Sequence, residues 1–200
     1  RNARRSGVRC INLTPEQFRR ISRTERASGV GAIAHQPWFK LPDISPQMGL
    51  CWVVLENVRS PGNLGTLIRT SEAVGGAGFI LIGGRVDPFD PDVIRASMSA
   101  ILCQKFVRTN LSELRRFLHH HRCPCIGASP DGNIDLHQFN YPDSTLLFLG
   151  EERQGLTQQQ RELCQDLVRI PMVGTADSLN LAVAGSLLMY EVYRARRSSC

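Results

Sequence analysis

The 200-residue chain lacks several patterns that would have settled its class at once. No apolar run approaches the ~20 residues of a membrane-spanning helix, and no stretch has the form of a signal-peptide hydrophobic core. Gly-x-Gly-x-x-Gly and Gly-x4-Gly-Lys-Ser/Thr are both missing, so neither a dinucleotide nor a nucleoside-triphosphate site has support. Gly-x-Ser-x-Gly is missing too, which removes the usual hydrolase nucleophile. Lysine is nearly absent: Lys40 and Lys105 are the only two among 24 basic residues. The positive charge is therefore carried by arginine, whose planar fork suits phosphate better than a point charge does.

The seven cysteines have neither disulfide-like nor zinc-like spacing. Most sit inside apolar runs and read as small core residues in a reducing compartment, so the expected location is the cytoplasm or an organelle. His119-His-His121 beside Cys123-Pro-Cys125 suggests a metal site only at first sight. The histidines fall on different faces of a helix end, and Cys-x-Cys is too tight for a structural pair, so no metal is expected.

With 42% apolar and 21% charged residues, the composition is that of an ordinary soluble protein, and 200 residues can bury one good core, or one core plus a fragment of a second. Net charge is +6 and the basic residues cluster at both ends. Charge of this kind fits nucleic acid as well as it fits a solvated surface. The first residue is Arg1, and Gly7–Ile11 reads as a strand in a domain already under way. Thr14-Pro-Glu-Gln17 starts a helix, and Gly29–Ala34 reads as a second strand. Residues 1–36 are thus expected to be the end of a small α/β domain. Residues 37–49, with Pro37, Pro42 and Pro46, are expected to be a linker.

From residue 50 onward apolar strands alternate with helices. Strands are expected at Trp52–Leu55, Phe79–Ile82, Phe106–Arg108, Cys125–Ala128, Leu146–Leu149 and Leu167–Ile170. Helices are expected at Pro61–Val74, Asp92–Met98, after Asn110, at Thr157–Cys164 and at Ser178–Arg197. Non-alternating apolar strands joined by helices argue for an α/β fold, a parallel sheet covered on both faces. Two of these strands break abruptly into Gly150-Glu-Glu-Arg-Gln-Gly-Leu156 and Pro171-Met-Val-Gly174. Buried strands that end together at such loops line small-molecule sites with backbone groups. That suits a nucleoside cofactor carrying no phosphate.

From the end of the first strand into the first long helix runs Asn57-Val-Arg-Ser-Pro-Gly-Asn-Leu-Gly-Thr-Leu-Ile-Arg69. Gly62, Gly65, Thr66 and Arg69 share one stripe of that helix. Two early glycines weaken a helix by ~1 kcal/mol each. Either a ribose or phosphate approaches the backbone there, or another helix does; the residues leave both open.

Taken together these segments resemble the SpoU/TrmH group of SPOUT RNA methyltransferases. Asn57, Pro61, Asn63, Gly65 and Arg69 match its first motif. Gly150, Glu152, Gly155, Leu156 and Ile170–Gly174 match the second, and Ser178, Leu179 and Asn180 the third. Leu181 and Ala182 are mild departures from the usual residues. The resemblance covers residues 50–197. It implies a C-terminal trefoil knot, a homodimer, S-adenosylmethionine as donor and methylation of a ribose 2′-hydroxyl in RNA. Catalytic roles would fall to Arg69, Asn63, Glu152, Ser178 and Asn180. Cofactor contacts would fall to Leu149, Gly150, Ile170, Met172 and Leu179. Residues 1–36 resemble the end of a ribosomal-protein-like RNA-binding domain, which favours ribosomal over transfer RNA. The alternatives are a tRNA enzyme, an antibiotic-resistance rRNA methyltransferase, a base methylase, or a non-catalytic RNA-binding protein of the same fold.

Overall fold

The computed structural model describes residues 7–22 and 28–197, which fall into two compact units dividing between Gln36 and Pro37. In the first unit, helix α1 (Pro15–Ile21) starts where the sequence places it. Thr14 Oγ1 accepts from the Gln17 N–H, and Gln17 Oε1 accepts in turn from the Thr14 N–H at 2.9 Å. The strands expected at Gly7–Ile11 and Gly29–Ala34 do not form. A strand is stable only with a ladder partner and a face to bury; here Val8, Ile11, Val30 and Ile33 are all exposed.

The second unit is built on strands β1 (Trp38–Phe39), β2 (Trp52–Leu55), β3 (Gly78–Ile82), β4 (Lys105–Thr109), β5 (Cys125–Ala128), β6 (Ile134–Asp135), β7 (Leu146–Leu149) and β8 (Asp166–Arg169). They form one sheet in the order β1-β4-β3-β2-β7-β5-β8-β6, parallel at every pairing. The helices are α2 (Pro61–Ala73), α3 (Pro91–Ala96), α4 (Leu111–His121), α5 (Gln158–Arg161) and α6 (Leu181–Arg197). Side chains alternate between two cores. Val53, Leu55, Phe79, Leu81, Leu147 and Leu149 join α2 and α6 on one face. Trp52, Val54, Ile80, Ile82, Leu146 and Phe148 join α4 on the other. Each fully buried side chain of this size contributes about 1.5–3 kcal/mol, which is why the strands read as unbroken apolar runs. No helix among the described residues is long and apolar enough to cross a membrane.

Four expectations need correction. The stretch 37–49 is not a free linker: Trp38–Phe39 pairs with β4, Leu41 and Ile44 are buried, and the Trp52 indole N–H donates to Ser45 O at 3.0 Å. Its prolines end elements without preventing the residues between them from docking. The helix expected at Thr157–Cys164 is one turn, Gln158–Arg161. The last strand sits one residue earlier than expected, at Asp166–Arg169. Finally, the last helix begins at Leu181, not Ser178.

The α2 glycine stripe is resolved in favour of helix packing at Gly65. A Cβ there would lie 2.8 Å from Ala96 C and 2.9 Å from Ser97 N, inside the backbone of α3. Gly65→Ala gains about 1 kcal/mol of helix propensity but overpacks against backbone that cannot yield, which costs about 1–3 kcal/mol. The expected outcome is a lower urea midpoint; a raised one would refute the packing assignment.

Candidate active site

The carboxyl ends of β5, β7 and β8 open into a cavity of about 350 Å³. It lies on the side of the sheet where strand connections reverse direction: β2 leads outward to β3, whereas β7 leads the other way to β8. Ligands of open α/β sheets bind at such switch points.

The loop after β7 is shaped by glycine. Glu151 and Gly155 exchange backbone hydrogen bonds of 3.0 and 2.9 Å, closing a tight five-residue turn. A Cβ on Gly150 would stand 2.5 Å from Leu156 N, so only glycine lets the turn fold back. Behind it, Thr157 and Gln160 form a reciprocal cap on α5, and the Gln160 amide reaches the Glu56 carboxylate after β2. The post-β2 and post-β7 loops are joined again by Arg59, whose Nη2 and Nε meet Glu151 Oε1 at 2.6 and 3.0 Å.

After β8 the chain runs from Pro171 to Leu179 with none of its backbone groups in a backbone hydrogen bond among the described residues. Residues 171–178 are exposed, and of this stretch Met172 and Asp177–Leu179 border the cavity. Leu149, Gly150, Ile170, Met172 and Leu179 all line it, with Glu152 and Ser178. The fit to an adenosine-type ligand is good: apolar walls for a flat base, backbone donors and acceptors of Met172 and Asp177–Leu179 for its edge, and a volume within the usual range for small-molecule sites.

Asn180 is the N-cap of α6. Its Oδ1 accepts from the Ala182 N–H at 2.8 Å and the Val183 N–H at 3.3 Å, so the cap lies two residues beyond Ser178, where the helix was expected to begin. Its Nδ2 donates to Asn63 Oδ1 at 3.1 Å, and the Asn63 amide donates to Glu152. Three residues far apart in sequence thus form one polar chain that meets the cavity at Glu152, while Asn63 and Asn180 are not among its lining residues. Arg69 is not brought to it: it is exposed on α2 and lines no part of the cavity.

Sequence reasoning missed the post-β5 loop. Ser129 and Asp131 line the cavity with Arg161, whose Nη2 donates to Ser129 Oγ at 2.9 Å and Asp131 Oδ2 at 3.0 Å. Its Nε donates to Leu156 O at 3.3 Å. One half-buried guanidinium therefore ties two cavity loops together. The signal was present: Ser129-Pro130-Asp131 follows a buried strand directly, where such sheets bind ligands.

A model of the SpoU rRNA Methylase family matches residues 50–190. The chain belongs to that family. It is 32% identical, over 94% of its length and 68% of the relative's, to the 23S rRNA (uridine(2479)-2′-O)-methyltransferase of Streptomyces viridochromogenes. It is 31% identical to the 23S rRNA (guanosine-2′-O-)-methyltransferase RlmB of Vibrio vulnificus, over 72% of this chain and 58% of that one. Among solved structures, the AdoMet-bound rRNA methyltransferase from Sinorhizobium meliloti matches with a TM-score of 0.75 at 36% identity, over 80% of this chain and 61% of that one. The chain thus spans about three fifths to two thirds of the length of these relatives.

The cysteines near the His119–His121 run are core residues of this family member. Burial pushes the Cys123 thiol up to about 11 and Cys51 up to about 12. Cys125 is raised by its hydrogen bond with Cys164, 4.0 Å away between sulfurs, and by burial. Thiols held protonated react slowly, so alkylation of the native protein at pH 7.5 should label exposed Cys10 and Cys103 and spare Cys51, Cys123 and Cys125. Peptide mapping checks this. Thermal unfolding tests the cap: Asn180→Ala should cost about 1 kcal/mol, while Asn180→Asp, which keeps the capping oxygen but loses the N–H donated to Asn63, should recover only part of that loss.

Proposed function

We propose that this chain is the catalytic part of an S-adenosylmethionine-dependent RNA ribose 2′-O-methyltransferase acting on 23S-type ribosomal RNA. The observation that carries the reading is the convergence on one cavity of the post-β7 loop, Ile170, Met172 and Asp177–Leu179, with the Asn63–Glu152–Asn180 chain joined to it through Glu152. The names of the relatives favour ribosomal RNA as the substrate. S-adenosylmethionine supplies an electrophilic methyl group on a sulfonium.

In this reading Leu149, Gly150, Ile170, Met172 and Leu179 hold the adenosine. Glu152 orients Asn63, Asn180 fixes it from the other side, and Asn63 presents its amide to the acceptor ribose or its phosphate. Ser178 borders the reacting end. Arg69 acts on the acceptor: it orients the 2′-hydroxyl and stabilises charge developing on its oxygen. A guanidinium holds its own proton in proteins, so proton removal runs through a neighbouring group such as an RNA phosphate.

Arg69 reaches the chemistry in this reading because two copies pair through the α2/α6 face. Support comes from exposed apolar residues on α6 (Val183, Leu187, Tyr190) and around α3 (Ile94, Met98, Leu102), a patch that pairing would cover. The strand order, with β7 inserted between β2 and β5, fits a chain that threads its C-terminal segment into a trefoil knot, a rare exception to unknotted connections. The buried reduced cysteines suit the cytoplasm.

Arg69→Ala should reduce methyl transfer to rRNA at least a hundredfold while S-adenosylmethionine affinity stays within about twofold of wild type, by calorimetry and radiolabel incorporation. An active Arg69→Ala enzyme would refute its role. Light scattering that shows a monomer at micromolar concentration would refute the pairing.

A further inference from the structure

A larger cavity, about 940 Å³, lies away from the candidate active site, between the segment Trp38–Pro42 and helix α4. One wall is the sheet-edge strand β1 with Lys40 beyond it. The other is a helical stripe: Glu113, Arg116, Phe117, His120 and His121 recur at i, i+3, i+4, i+7 and i+8. Successive positions of such a stripe four residues apart rise about 6 Å, close to the phosphate repeat of an extended strand of nucleic acid.

The charge is one-sided. Arg108 also lines the groove but is committed to the fold: its Nη2 donates to Val86 O at 3.0 Å, and its guanidinium lies 4.3 Å from the Trp38 ring centroid. Glu113 is the sole acidic side chain there, and its carboxylate accepts from Thr109 Oγ1 at 2.6 Å. Lys40 and Arg116 are exposed and make no ion pair or side-chain hydrogen bond among the described residues. Phe39 and the T-shaped His120–His121 pair supply ring faces and edges beside them. Cationic side chains interleaved with rings along a groove are what a single strand of nucleic acid requires: pairing for phosphates and stacking for bases.

The groove also stays open in the proposed dimer. Helix α4 packs into the core on the opposite face of the sheet from α2 and α6.

We propose that this groove binds a single-stranded segment of the substrate RNA, away from the target nucleotide, through Lys40 and Arg116 on phosphates and Phe39 and His120 on bases. The inference rests on the RNA-methyltransferase reading for the identity of its ligand. It adds a second anchoring surface on the catalytic unit itself, one that works through affinity for RNA and not through chemistry.

The test compares the full chain with a Lys40→Glu/Arg116→Glu variant and the conservative Lys40→Arg/Arg116→Lys variant, on rRNA fragments with and without single-stranded flanks. The charge-reversed variant should bind flanked RNA at least tenfold more weakly. Its logarithmic salt slope should fall by about 1.4, since each of the two phosphate contacts on a single strand contributes roughly 0.7. KM for RNA should rise with kcat little changed, S-adenosylmethionine affinity should match wild type, and the conservative variant should behave as wild type. Unchanged RNA KM and salt slope in the charge-reversed variant would overturn the proposal. So would normal binding to naked RNA with lost activity on ribosomal particles, which would assign the groove to a protein. Wild-type chain that binds flanked RNA through this groove yet transfers no methyl group would refute the catalytic reading and leave the groove standing.

Discussion

Everything at the cavity depends on the parallel pairing of β2 with β7, Trp52–Leu55 against Leu146–Leu149. All eight side chains are buried. The pairing places the turn after Leu55 beside the turn after Leu149, although more than ninety residues separate them in sequence. Once those two turns are neighbours, Glu56 meets Gln160, Arg59 meets Glu151, and Asn63 meets Glu152. None of these contacts is strong alone; an exposed ion pair such as Arg59–Glu151 is worth about 0–1 kcal/mol. They orient loops that the sheet has already brought together.

The central strands β2, β3 and β7 were legible because every position in them is buried, and they therefore read as unbroken apolar runs. The two edge strands were not. β1 and β6 have two residues each, too few to show any period, and one of them lies in a proline-rich stretch that reads as a linker. The start of α6 was misread for a related reason. Ser178 and Asn180 are both good capping residues by type, and only the geometry shows which oxygen reaches the first free amides. In the α2 stripe, glycine spacing announced a close approach without saying what approaches; Gly65 is filled by α3.

The candidate site divides in the same way. Residues that line the cavity followed from strand ends and loop composition, because a strand that stops at Gly-Glu or Ile-Pro must leave backbone groups at the sheet's edge. The polar chain from Asn180 through Asn63 to Glu152 crosses three segments, and no local pattern encodes that crossing; family motifs grouped its members without showing how they touch. Ser129, Asp131 and Arg161 belong to no motif used here, and they became visible only when β5 was placed next to β7 and β8.

The position of β7 also governs when this unit can fold. It is a central strand drawn from late in the chain, flanked by β2 and β5, so a nascent chain that has emerged only as far as residue 130 has made both neighbours but not the strand that joins them. Until Leu146–Leu149 arrives, two four-residue apolar edges stand open with their amides and carbonyls unmatched. Sequence-distant pairing of this kind is slow to form and exposed to aggregation while it waits. Synthesis from the N-terminus therefore yields no sheet continuous across the centre until β7 has been made.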